Sequence, residues 1–400
     1  MNLIVQKYGG SSISTIEKIK NVAKKIKSKK EDNYHIIVVV SAMGNTTDKL
    51  IKLSKQISPL PDKRELDVLL SIGEQKTIAL LAMALKELGL DAISLTGAQA
   101  RIITEGEHTN SIIKDLDKNI ILEYLQEGKV VIITGFQGVN SKGDITTLGR
   151  GGSDTSAVAI AGKLNCPCEI YTDVDGIYSI DPRLYPNARQ IDYISYDMVL
   201  ALSTLGAKVL EKRAVQLAKQ LEVPIYLASS ITGNIGTTIR GAETVEESKI
   251  VGLAVDENCA IITIESTNSN KEEIMSILNL LTHLGIDINT ISISNVSNGY
   301  MSMSFMCSRD DYGIVDSIEK LICVPSKDLK ITKDENSMKI SLIGSGINKI
   351  TDYHSILLKI FYSNNLMIKH IANSETYTSY VVDKGDKNKV ISDIATEFNL

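Results

Sequence analysis

The chain is 400 residues long, too long for one ordinary core, and its 43% hydrophobic residues suffice to fill two or three domains. Lysine and arginine number 43 against 48 aspartate and glutamate, and the net charge of -5 sets up no general basic field. Neither nucleic acid nor a membrane surface is therefore expected as a partner, and any anionic ligand must be attracted locally.

The N-terminus carries no basic segment followed by a long apolar core, so it does not read as a signal peptide, and no uncharged apolar run approaches membrane-spanning length. The first element is the apolar alternation Leu3-Ile4-Val5, which runs into Lys7-Tyr8-Gly9-Gly10-Ser11-Ser12 and then a helical pattern with Ile16, Ile19 and Ile26 on one face. A strand-to-helix turn offers free N–H groups and a helix dipole to an anion, and glycine lets the backbone approach it. Lys7 adds a cation, although Gly-Gly alone is also an ordinary turn. The lysines of residues 18–30 lie opposite Ile19, Val22, Ala23 and Ile26 and read as a solvated face.

Strands come next at 36–40, 92–95, 130–134, 169–172 and 225–228, alternating with helices at 66–88, 154–164 and 208–220. This rhythm predicts a mainly parallel sheet sandwiched by helices, with ligands beyond the carboxyl ends of the strands. Leu148-Gly149-Arg150-Gly151-Gly152-Ser153-Asp154 is a second glycine-rich turn into a helix, where Ser153 or Asp154 would serve equally as an N-cap. The five cysteines, Cys166, Cys168, Cys259, Cys307 and Cys323, lack C-x-x-C pairs and read as free buried thiols of a reducing, cytoplasmic setting, with no protein metal site.

Residues 229–238 are rich in turn formers and read as an exit from the first domain. Beyond Cys259 the order is strand 260–265, helix 271–284, strands 289–296 and 300–307, helix 312–321 and strand 329–333. A second unit repeats it with strand 339–343, helix 353–364, strands 367–373 and 378–383 and helix 388–398, but lacks its last strand. The unpartnered segment 249–255 is expected to complete that sheet, which would interlock the two units.

Neither glycine segment is a G-x-x-x-x-G-K-[ST] or G-x-G-x-x-G motif. In order, Lys7 to Ser12, Val40-Ser41-Ala42-Met43-Gly44, Ser71-Ile72-Gly73-Glu74 and Gly149 to Asp154 resemble motifs of the amino-acid kinase family, and within it the aspartokinases. Tyr171-Thr172-Asp173-Val174-Asp175-Gly176-Ile177-Tyr178, Asp181-Pro182-Arg183 and Gly206-Ala207-Lys208-Val209 continue the match over nearly the whole chain. The resemblance implies an α/β amino-acid kinase fold over 1–228, a linker at 229–248, and two interleaved α+β ACT domains (βαββαβ) at 257–335 and 336–400. In that scheme 249–256 is the strand that completes the second. As a blander alternative, such paired units would only hold a dimer together.

It also implies ATP-dependent phosphorylation of the side-chain carboxylate of L-aspartate, with Mg2+ accompanying ATP. A carboxylate is already deprotonated at neutral pH, so charge is the obstacle and cations must supply much of the catalysis. By resemblance Lys7 and Asp154 are catalytic, and Ser41, Thr47, Glu74, Arg150, Gly151 and Ser153 bind substrate, Arg150 gripping a carboxylate and Glu74 the α-ammonium. Lys7, Gly9, Gly10, Ser11, Thr172, Asp173, Tyr178, Asp181, Arg183, Lys208 and Val209 are the implied ATP site. Glu74 would serve equally as a helix-starting carboxylate, Lys208 as a first-turn lysine and Tyr178 as core.

Asp287, Asn289, Ser292, Ser294 and Asn295 are candidates for binding an effector, for which the resemblance suggests lysine, threonine or both. A homodimer through the ACT domains is implied, with a tetramer as a further assembly. Two positions depart from the family pattern: Glu211-Lys212 stands where many relatives have His-Pro, and Asn289 where many have Asp. Another amino-acid kinase with a glutamate-type acceptor and a catalytically silent amino-acid-binding regulator remain the alternatives.

Overall fold

The computed structural model describes residues 2–207, 210–241, 250–266, 271–284, 288–296, 300–316, 329–347 and 351–400. These fall into two compact units. The first draws on Met1–Tyr178, Arg189–Thr204 and Lys208–Val245, and the second on Ser179–Ala188, Leu205–Ala207 and Glu246–Leu400.

In the first unit the strands are β1 (Leu3–Tyr8), β2 (His35–Val40), β3 (Ala92–Leu95), β4 (Ile102–Glu105), β5 (Ile112–Leu116), β6 (Val130–Thr134) and β7 (Gln137–Val139). They continue with β8 (Ile145–Thr147), β9 (Cys168–Thr172), β10 (Ile177–Tyr178), β11 (Gln190–Ile191), β12 (Tyr193–Ser195), β13 (Ile225–Ser229) and β14 (Thr237–Arg240). The main sheet has the order β12-β14-β13-β9-β1-β2-β6-β3, parallel throughout except for the β13/β14 pair. Its central strands are near-continuous apolar runs, as burial on both faces requires: Ile36 to Val40 are all fully buried. On one face α1 (Ile16–Glu31) and α3 (Lys63–Glu87) contribute Ile19, Val22, Ile26, Ile78, Leu81 and Leu85 to a core with Ile36, Val38, Val40 and Ile132. α5 (Gly152–Leu164) packs against β1 and β2, and α7 (Lys212–Gln220) packs on α5.

Several features differ from the sequence reading. The helix α2 (Thr46–Ile57) and the small sheet β5-β4-β7-β8 were not expected. Leu50, Leu53 and Ile57 of α2 share one face at helical spacing, although Leu53 and Ile57 remain exposed. By length and composition α3 is apolar enough to cross a membrane, but Asp67, Glu74 and Lys76 interrupt it, so it is not an uncharged run, and half of its most apolar stretch is buried, with Ile78, Leu81 and Leu85 in the unit's core. The helix expected from 208 begins at Lys212, because Glu211 is extended (φ -65°, ψ 126°); residues 208–209 lie outside the described ones.

The second unit holds two antiparallel sheets. β17 (Asn289–Val296), β18 (Tyr300–Ser308), β16 (Cys259–Ser266) and β19 (Leu329–Asp334) form one, in that order. β15 (Ile250–Asp256), β20 (Ser337–Gly344), β22 (Tyr377–Asp383) and β21 (Ile368–Asn373) form the other. β15 therefore pairs with a strand some eighty residues on, Val255 opposite Ile340, skipping the intervening sheet. Segment 179–188, read from sequence as part of the first domain, packs in this unit: Leu253 N donates to Ser179 O at 2.7 Å, and Ile180 is buried with Leu253, Met338 and Ile340. Cys166, Cys168, Cys259 and Cys307 are free and buried, and burial pushes the Cys166 thiol up to about 12 and Cys307 up to about 11. Cys323 lies outside the described residues.

Candidate active site

The carboxyl ends of β1, β2, β6 and β9 lie along one edge of the main sheet because the strands are parallel. The glycine turns continue from those ends. After β1, Gly9 N donates to Tyr171 O at 3.1 Å, so this N–H, expected to face a phosphate, is already used inside the sheet. The next turn, Gly10–Ile13, closes its first bond at Ser12 N, which leaves the N–H groups of Gly10 and Ser11 ahead of it. A Cβ on Gly10 would lie 2.8 Å from Ala42 O, so the turns after β1 and β2 touch backbone to backbone and only glycine permits it.

Between these turns lies a cavity of about 660 Å3. Lys7, Gly10, Ser41, Thr47 and Glu74 line one part of it, and Arg150, Gly151, Ser153 and Asp154 another. Lys7, buried at the end of β1, meets Asp154 of α5 with Nζ 2.5 Å from Oδ1. That oxygen has no other partner among the described residues. Glu74 is buried on α3; its Oε1 accepts from Ala42 N at 2.9 Å, while Oε2 is buried and has no partner among the described residues. Burial pushes the Glu74 carboxyl up to about 7, against the lowering effect of the backbone donors at its own N and at Ala42. Arg150 is exposed at the rim. Gly151 caps α5 at φ 65°, and a Cβ there would sit 2.4 Å from Glu211 Cβ and 2.1 Å from its Cγ. The sequence departure at Glu211 therefore packs directly on the turn that carries Arg150.

The other sequence candidates lie elsewhere. Thr172 and Asp173 come at the end of β9, where Thr172 Oγ1 donates to Asp173 Oδ1 at 2.9 Å, and half-buried Tyr178 ends β10. Asp181 and Arg183 belong to the second unit, where Arg183 Nη2 meets Asp181 Oδ2 at 2.5 Å on the surface. Ser11 is exposed. Lys208, Val209 and Asp287 lie outside the described residues. Asn289 and Asn295 are on β17, and Ser292 and Ser294 are exposed on the same strand. Among the described residues no three His, Cys, Asp or Glu side chains gather as a metal cage.

Behind the first turn, Glu169 accepts from Gln6 Nε2 at 2.7 Å and Tyr171 Oη at 2.9 Å and pairs with Lys29 at 3.0 Å, tying α1 to β1 and β9. Tyr8 and Tyr171 stack with centroids 5.0 Å apart. Sequence reasoning missed Asp67, Thr109, Thr147 and Arg213, which shape the cavity wall or hold it. One signal was available: Asp67 stands two helical turns before Glu74 and so shares its face.

A parallel sheet whose glycine turns bring a lysine, an arginine and two carboxylates to one cavity is the framework of a kinase for small anionic acceptors. Residues 2–229 match the amino acid kinase family, and the chain belongs to it. Over its whole length it is 39% identical to Aspartokinase 2 of Bacillus subtilis, covering 98% of that protein, and 38% identical to the aspartokinase of Corynebacterium glutamicum, covering 97%. This sets the chain among the aspartokinases of the family. E. coli aspartokinase III, solved with aspartate and ADP and again with lysine and aspartate, shares the fold over the full length of both chains, with TM-scores of 0.76 and 0.81 at 22% identity.

Proposed function

We propose that the chain transfers the γ-phosphoryl group of ATP to the side-chain carboxylate of L-aspartate, making 4-phospho-L-aspartate and ADP. The observation that carries this reading is Glu74 Oε2, a buried carboxylate oxygen without a partner among the described residues, in the cavity that also holds Arg150 and the Lys7–Asp154 pair. An α-amino acid bears an ammonium and a carboxylate side by side. Glu74 suits the first and the planar fork of Arg150 the second, which leaves the side-chain carboxylate to be directed at Lys7.

In the transfer, one aspartate carboxylate oxygen bonds to the γ-phosphorus while the bond to the bridging oxygen of ADP breaks. No proton need move, so positioning and charge compensation do the work. Lys7 is the cation for the transferring group and Asp154 holds its ammonium in place. Gly10 and Ser11 offer N–H groups to the phosphates, and Thr172, Asp173 and Tyr178, with Lys208, are assigned to the nucleotide. ADP in the E. coli relative supports ATP as the donor. Mg2+ carried in with ATP would be held by phosphate oxygens and water, with Asp154 the nearby carboxylate, and would neutralise phosphate charge.

The pairing of β15 with β20 supports reading 249–256 as the strand completing a second ACT domain at 336–400, with 257–335 as the first. We assign amino-acid feedback to these domains, with lysine favoured by the E. coli complex. Formation of hydroxamate from the acyl phosphate, with ATP, Mg2+ and L-aspartate, tests the whole reading. Turnover with aspartate and suppression by lysine, threonine or both is the expected result. Turnover with another carboxylate alone would replace the acceptor, and silence with every acceptor would favour a regulator without catalysis.

A further inference from the structure

Two charged side chains of opposite sign grip the same two segments of the first unit. Asp67, fully buried on α3, accepts through Oδ1 from Thr147 Oγ1 at 2.5 Å and through its two oxygens from Thr109 N at 3.1 and 3.0 Å. His108 Nδ1 lies 2.8 Å from its Oδ2. Arg213, in the first turn of α7, donates from Nη1 to Leu148 O at 2.8 Å and from Nη2 to Ser111 O at 2.7 Å. Each side chain therefore bonds to the loop 109–111 and to the segment 147–148. Ser111 N closes the arrangement by donating to Thr147 O at 3.0 Å.

These segments lead straight into the substrate turn. Leu148 runs directly into Gly149-Arg150-Gly151, and Thr109, Thr147 and Arg150 all face the cavity. The chain from Thr147 to Arg150 is only three residues, so fixing Thr147 and Leu148 fixes where the Arg150 backbone emerges. Bonds from ionised groups are the strong ones, and here both ends of the arrangement are made of them.

We propose that Asp67 and Arg213 are positioning residues, a two-charge clamp that holds 109–111 against 147–148 and so aims Arg150 at the carboxylate of the substrate. Neither touches the substrate. The inference rests on the reading of Arg150 as a substrate-binding residue.

The test compares full-length Arg213→Lys, Thr147→Val, Thr147→Ser and Asp67→Asn with the unaltered chain. It reads KM for aspartate, KM for ATP, kcat and amide hydrogen exchange of residues 107–111 without substrate. Arg213→Lys and Thr147→Val should each raise KM for aspartate about tenfold, the factor that one charge-assisted bond represents, while KM for ATP stays within about twofold. Thr147→Ser keeps the hydroxyl and should stay near the unaltered value. Exchange at Thr109 and Ser111 should quicken in the first two variants. If Asp67→Asn does not fold, these two decide. An unchanged exchange rate, or kcat and both KM values worsening together with a lowered Tm, overturns the clamp. An unaltered chain inert toward aspartate would instead sink the functional reading, and the exchange rates would still judge the clamp.

Discussion

A carboxyl buried without a full set of donors titrates late, and Glu74, with its value near 7, is the residue from which pH dependence is expected. Its folded value lies above the unfolded one, so its contribution to stability is present in full below about pH 4.5 and is lost as pH rises through about 7. Charging it costs about 3 kcal/mol by this shift. Glu74→Gln should therefore raise Tm at pH 8 while greatly weakening aspartate binding; a lowered Tm would reject this account. In the unaltered chain, KM for aspartate should rise by roughly tenfold per pH unit below 7, because a proton must leave before the ammonium binds, and Glu74→Gln should flatten that profile. The Lys7–Asp154 pair has side-chain exposures of only 10% and 14%, so removing one partner strands the other. Lys7→Met and Asp154→Asn should each abolish most turnover and cost on the order of 3 kcal/mol in denaturant unfolding, and the double variant less than their sum. Strict additivity would mean the pair is not coupled. Motif context singled these residues out, but not the contact between Lys7 and Asp154, which are brought together only by α5 packing on β1.

At the level of elements, the turn into α5 and the start of α7 form one working part. Gly151 has φ 65°, where a Cβ is strained, and the Glu211 side chain occupies the space a Cβ would need. Gly151→Ala should lower both Tm and turnover. Adding Glu211→Gly removes the clash but leaves the backbone strain, so Tm should recover in part. Full recovery would show that strain was absent, and no recovery that the clash was. From the sequence, Glu211 stood out only as a departure from a family pattern; its meaning came from the extended backbone that places it over Gly151. Six strands of the main sheet, from β13 across to β3, were readable, β2 and β6 as unbroken apolar runs, whereas β7, β8 and β10 to β12 are two or three residues long and carry no period to detect.

For the whole molecule, regulation is expected to run through the two interlocked sheets of the second unit. β17 ends its sheet, and Ile291, Ser292, Ile293 and Ser294 are all exposed, so both faces of an edge strand are open. Such an edge is a place for a second copy to pair. Ile293→Lys should shift sedimentation toward the monomer at a given concentration; unchanged association would remove this edge from the interface. On the same strand, Asn289→Asp adds a charge able to meet an effector's ammonium group and should change the inhibition curve without altering the uninhibited rate. An identical curve would reject the site. If lysine or threonine lowers aspartate affinity, aspartate must lower the effector's affinity by the same factor.

The alternation of the long strands and helices, the two glycine turns with Lys7 and Asp154 beside them, and the doubled C-terminal pattern were legible in local sequence alone, because period, turn chemistry and motif spacing are short-range properties. Even the sheet that β15 joins could be inferred by counting strands, though not the strand it pairs with. What only the tertiary structure decided were relations between distant residues: Gly9 N–H spent on Tyr171, segment 179–188 packed in the second unit, and Glu211 laid over Gly151. Asp67 and Arg213 belong with these: the place of Asp67 on the Glu74 face of α3 could be read from the sequence, but its bonds to Thr109 N and those of Arg213 to Leu148 O and Ser111 O, 42 to 102 residues away, could not.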